Sequence, residues 1–257
     1  MKQTYLTNGP LAATLVTLRF SPITLMKNEY IPKIQDTFRK NGLPEFKELM
    51  LQDMDDGSSH QWRFFNLGGS ELVVISDITF SYQTFSYTHW DEFKKRMMDL
   101  LHIFFDVTDF FNGTILYYLG LRYINAIEAV NWREYFTPSF HGIQLPDTLK
   151  ATGALEEYHA IFLQAVTRLN SEQTAHIIIK TIQNNEGLHF PPDIVLLTEQ
   201  VPIKGAMTTI LDIEHFAPLI IKPNDSAPII TTLDQLHDGC ELVFFDAISD
   251  TALKEWT

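Results

Sequence analysis

Apolar side chains recur at alternate positions through Leu72, Val74, Ile78, Phe80 and Tyr82, while Asp77, Thr79, Ser81 and Gln83 fill the positions between the later ones. A period of two, rich in β-branched and aromatic residues, predicts a half-buried strand over Glu71–Gln83. The period then changes. Trp90, Phe93, Met97, Leu100, Phe104, Val107 and Phe111 follow at steps of three and four, which gathers them on one face of a helix. Thr88 is placed to cap that helix and Asn112-Gly113 to stop it. Alternation resumes at Ile115, Tyr117, Leu119, Leu121 and Tyr123 and predicts a second strand.

The rest of the chain is built around this strand–helix–strand unit. Leu11–Phe20, between Gly9-Pro10 and Ser21-Pro22, predicts a first strand. Asn28–Lys40 predicts a helix capped by Asn28, with Pro32 in its first turn, Ile31, Ile34 and Phe38 on one face, and Gly42 at its end. Leu43–Ser59 reads as a polar, acidic connection, and Gln61–Asn66 as a strand turning through Leu67-Gly68-Gly69-Ser70. Trp132–Ala154, broken by Pro138, Gly142, Pro146 and Gly153, marks a boundary between an N-terminal half, 1–131, and a C-terminal half, 132–257.

Beyond it a meander is expected over His159–Leu169, Ala175–Ile182, Ile194–Val201 and Met207–Phe216, antiparallel because its links are short. Ala217–Ile230 reads as a proline-bearing loop. Thr232 then opens a last helix with Leu233, Leu236, Cys240, Val243 and Ala247 on one side. The fold class is α+β: antiparallel sheet or sheets covered by two long amphipathic helices, either as two similar halves or as one continuous domain.

Charge narrows the partners. The net charge of −13 is concentrated late, with eleven Asp/Glu against three Lys/Arg in 193–257. That balance argues against a phosphate-tracking nucleic-acid surface, which needs a basic stripe. It suits a solvated surface or a dock for a basic protein partner. No apolar run reaches the roughly 18–20 residues of a membrane span, and no secretory leader is evident, so a cytoplasmic location is expected. The single cysteine, Cys240, excludes an intramolecular disulfide.

Several blocks resemble a known family. They are Leu119-Gly120-Leu121-Arg122-Tyr123-Ile124-Asn125, the passage Tyr87-Thr88-His89-Trp90 with Phe93, and Leu211-Asp212-Ile213. Leu18-Arg19-Phe20 and the closing Leu236-His237, Phe244-Phe245 and Ile248-Ser249-Asp250 agree as well. With them the chain resembles, along nearly its whole length, a sporadically distributed bacterial family of similar size that has no assigned function. The resemblance implies a bacterial, patchily inherited cytosolic protein of the toxin–antitoxin, immunity or phage-defence kind, and no catalytic residues to carry over.

Candidate chemistry centres on Arg122. It lies on the strand face opposite Leu119, Leu121 and Tyr123. Asp77 on the earlier strand and Asp212 and Glu214 on a later one are expected to converge on it if those strands are neighbours. A guanidinium among carboxylates is either a ligand or peptide site or a structural ion pair fixing strand register. The nine histidines show no His-x-x-x-His pair, and Asp55-Asp56-Gly57 lacks the spacing of a calcium loop, so neither metal nor cofactor is expected. No nucleophile elbow is present, and Cys240 sits on an apolar stripe. Phe105 and Phe110 leave the main helix stripe, for either core packing or a homodimer patch. The sequence therefore predicts a non-catalytic protein that binds a protein partner. The alternative is a hydrolase or a small-ligand sensor with its site near Arg122.

Overall fold

The computed structural model describes residues 6–52, 58–128, 131–141, 160–171, 173–184, 188, 190, 191, 194, 195 and 208–257. Their strands are β1 (Leu11–Phe20), β2 (Glu45–Gln52), β3 (Ser58–Phe65), β4 (Glu71–Ile75), β5 (Thr79–Thr84), β6 (Leu116–Glu128), β7 (Ala160–Arg168), β8 (Thr174–Asn184) and β9 (Thr208–Ile221). All nine join one antiparallel sheet in the order β2-β3-β4-β5-β1-β6-β9-β8-β7. The α-helices among the described residues are α1 (Ile31–Lys40), α2 (Trp90–Thr108), α3 (Ala227–Ala247) and α4 (Asp250–Trp256). No helix among the described residues is long and apolar enough to cross a membrane.

Alternation along the strands sorts the sheet into two faces. On the first, Val16, Leu18 and Phe20 of β1, Leu119, Leu121 and Tyr123 of β6, and Leu211 and Ile213 of β9 share one buried cluster with α1, α2, α3 and α4. Phe104 of α2 meets Phe20 and Phe80, Phe38 of α1 meets Phe64, and α3 lies against β6 and β9. Phe105 and Phe110 are buried in this cluster too, which settles their packing. On the second face, Ala13, Leu15, Ile124 and Ile210 form a smaller cluster with Ile194, and Leu188 and Phe190 pack against it. The Gln83 side-chain amide ties this cover down by donating to the Val195 carbonyl at 2.8 Å.

Several boundaries differ from the sequence expectation, each for a local reason. The strand expected over Glu71–Gln83 is a hairpin, β4 and β5, with Val74 opposite Ser81. Ser76 and Thr79 share a side-chain hydrogen bond of 2.6 Å, and the Ser76 amide donates to the Thr79 carbonyl at 2.9 Å, which closes the turn. The expected connection Leu43–Ser59 contains β2, an edge strand whose charged residues suit its exposed position. Residues 53–57 lie outside the described part.

A π-helical turn, Met26–Tyr30, precedes α1, so Asn28 is inside a helix and does not cap one. The N-cap of α2 is His89, whose side chain accepts from the Glu92 amide, and the helix ends at Asp109 in the left-handed conformation, φ 51°. β9 runs through the expected loop as far as Ile221, with Pro218 opposite Tyr118 beside a bulge that places one extra residue in β9. α3 begins at Ala227, its first amide bonded by the Asp225 side chain, and not at Thr232.

Trp132–Glu134 and Pro138–Phe140 form short 3-10 turns, and residues 142–159 lie outside the described part. Ile194 and Val195 of the expected strand Ile194–Val201 are not in a strand, and residues 196–201 lie outside the described part.

Candidate ligand-binding site

The residues singled out in sequence separate into a buried pair, a neighbour and an outlier. Arg122 on β6 stands beside Glu214 of β9 in the register, two residues from Ile124, the partner of Asp212. Its fork closes on Asp212, Nε to Oδ1 at 2.7 Å and Nη2 to Oδ2 at 2.7 Å. Lys180, opposite Asp212 on β8, brings its ammonium to 3.8 Å. Arg122 is 8% exposed and Asp212 1%.

Glu214 accepts from the Tyr118 hydroxyl at 2.8 Å, and burial with this carboxylate holds the phenol well above its ordinary range. Tyr118 stacks on Phe216, Phe216 on His176, and Arg19 lies 5.0 Å from the Tyr118 ring. Gly120 makes room for this row, since a β-carbon there would stand 2.5 Å from the Tyr118 hydroxyl. Asp77 does not join it. It lies in the β4–β5 turn, where its carbonyl accepts from the Ile23 amide at 2.9 Å. That turn is beyond Phe20 on β1, whereas Arg122 is level with Leu15, roughly 17 Å back along the strand.

A cavity of about 530 Å³ opens instead on the first face, where β6, α3 and the segment entering α2 meet. Leu6, Thr7 and Gly9–Leu11 form one wall. Alternation on β6 turns Tyr123 and Asn125 towards it, away from Arg122 and Ile124. On α3, His237, Glu241, Phe244 and Phe245 line it at helical spacing. Tyr87, Thr88, His89 and Trp90 complete the lining.

The rings are fixed by polar contacts behind them. Trp90 donates from Nε1 to Asp234 at 2.8 Å, and Lys94 donates to the same carboxylate oxygen at 2.8 Å. Trp90 stacks on the His237 ring with centroids 4.3 Å apart, and His237 Nδ1 shares a 2.9 Å hydrogen bond with the Tyr123 hydroxyl. Tyr87 meets Tyr123 edge to face.

Burial sets the protonation states. It pushes His237 below its ordinary value, against the opposing pull of Asp238 and Asp234, so the imidazole is biased towards its neutral form. It pushes the Tyr123 phenol well up. Glu241 is also raised, by desolvation first and by Asp238 second. The site thus offers a ligand aromatic faces, a few hydrogen-bonding groups and one partly desolvated carboxylate. Among the described residues no group of three His, Cys, Asp or Glu side chains is placed to hold a metal ion. Cys240 is buried on α3, where burial holds its thiol above the ordinary range.

None of these lining residues stands out in the sequence as a site. The signal was there in two places: the face of β6 opposite Arg122, and the i, i+4, i+7, i+8 spacing of His237, Glu241, Phe244 and Phe245. Tyr87–Trp90, Tyr123, Asn125, His237, Phe244 and Phe245, far apart in the sequence, lie around one cavity. No known protein family's sequence profile matches the chain, and no curated protein matches it.

Proposed function

We propose that the protein is a binding protein whose ligand is a small, ring-bearing molecule held in the cavity between α2, α3 and β6. One observation supports this above the rest: a space of about 530 Å³ lined mainly by aromatic and aliphatic side chains with a few polar groups converging on it. That size and lining are those of sites that enclose small molecules. In this reading α2 and α3 together form the lid over the sheet, and the segments 1–131 and 132–257 are its two wings. Within an antitoxin, immunity or phage-defence system, occupancy of the cavity would be the signal the protein reports. A site near Arg122 draws less support, because Arg122 and Asp212 already satisfy each other through two short hydrogen bonds.

The uncharged dye N-phenyl-1-naphthylamine tests the pocket. Saturable one-site fluorescence enhancement is expected, and a Thr88→Trp variant that plugs the exposed rim should abolish it. Equal binding to the plugged variant would place the site elsewhere.

A second reading, a protein partner or second copy docking on the sheet edge, is favoured by β7. Among the described residues it is the last strand in the sheet order, and it leaves Phe162 58%, Leu163 47% and Val166 66% exposed. An exposed apolar edge strand is a template for strand addition.

A further inference from the structure

The charge around the cavity narrows the ligand further, in a step that rests on the pocket reading above. We propose that the occupant is an organic cation, an ammonium carrying aryl or alkyl groups, with Glu241 as its counter-charge and the surrounding ring faces as its cage. Glu241 lines the cavity, and among the described residues no cation lies within 4 Å of its carboxylate. Asp234, two turns earlier on α3, is different, for it is already occupied by Lys94 and by the Trp90 N–H.

The field points the same way. At His237, in the cavity wall, the charges acting are those of Asp238, Asp234 and Asp91 against the single ammonium of Lys94. An anion entering there meets net repulsion, and the whole chain at −13 reinforces it. A neutral ligand would leave Glu241 partly desolvated and unmatched, whereas a cation supplies the missing charge and engages Tyr87, Tyr123, Phe244 or Phe245 through their electron-rich faces. The raised protonation equilibrium of Glu241 is what burial without a counter-ion produces, and a bound cation would reverse it.

Three probes of nearly one shape separate the possibilities by isothermal titration calorimetry: benzyltrimethylammonium, benzyl alcohol and benzoate. The cation is expected to bind about tenfold more tightly than the alcohol, and benzoate more weakly than either. Glu241→Gln should lower affinity for the cation by about tenfold and leave the alcohol unchanged. The wild-type ratio of cation to alcohol stands by itself should that variant fail to fold. Equal affinities for cation and alcohol, or a cation affinity untouched by Glu241→Gln, would overturn the cation assignment while leaving the pocket intact. Absence of binding by all three at millimolar concentration, together with failure of the dye to bind, would remove the pocket reading itself.

Discussion

Two single residues carry more of the structure than their size suggests. Gly239 lies inside α3, where alanine would normally gain about 1 kcal/mol in helix propensity. A β-carbon there would stand 2.4 Å from the His215 ring. That ring cannot swing aside freely, since Nδ1 donates to the Leu236 carbonyl at 3.0 Å and Nε2 faces the Thr167 hydroxyl at 2.8 Å. Overpacking of this kind costs about 1–3 kcal/mol, so Gly239→Ala should lower stability in urea unfolding, and the loss should shrink in a His215→Ala background.

Arg122→Ala should cost about 3–5 kcal/mol, because it leaves the Asp212 carboxylate buried without its fork. Arg122→Met with Asp212→Leu should recover most of that, measured by the same unfolding curves. Burial also lowers the His215 and His237 protonation equilibria below the ordinary 6.5. The unfolded chain then binds protons that the folded one refuses, so stability rises with pH up to about 6.5 and falls as pH drops below it. Glu241, shifted upwards, acts in the opposite sense at lower pH. The urea midpoint should therefore decline from pH 6.5 towards 5, and His215→Gln should make the decline shallower.

At the scale of elements, what decides legibility is whether one signal dominates. β1 was readable to the residue, because Gly9-Pro10 and Ser21-Pro22 bracket an apolar run. α2 was readable because its stripe spans five turns, although its ends were misplaced by the less obvious capping of His89 and Asp109. The β4–β5 hairpin was not, since apolar residues continue at even numbers through the turn. Leu72 and Val74 face one side of the sheet, whereas Phe80 and Tyr82 face the other. β2 was hidden by edge-strand charge, and the end of β9 by a proline that an adjacent bulge tolerates. The Arg122–Asp212 pairing could be anticipated from strand faces, but the cavity could not, because it joins side chains from four separated segments whose adjacency depends on the strand order. β7, the last strand of the sheet among the described residues, gives a test at this scale. Phe162→Lys with Val166→Lys should abolish any concentration-dependent self-association or partner capture, seen by light scattering, without moving the melting temperature.

For the molecule as a whole, the continuous sheet outweighs the prolines and glycines that follow β6 in the sequence. β6 and β9 pair along almost their full lengths in the middle of the sheet, so the segments before and after residue 131 share their hydrogen bonds and their largest apolar cluster. Calorimetry should show one unfolding transition and not two, with calorimetric and van't Hoff enthalpies in agreement. The order of strands also sets a tempo. Arg122 must wait for Asp212, 90 residues further along, and β1 must hold its place beside β6 meanwhile. Loop closure on that scale precedes most of the reward, so refolding should take milliseconds to seconds. A nascent chain that has made β6 but not β9 presents a bare, greasy strand edge, and in the cell it would depend on chaperones during that interval.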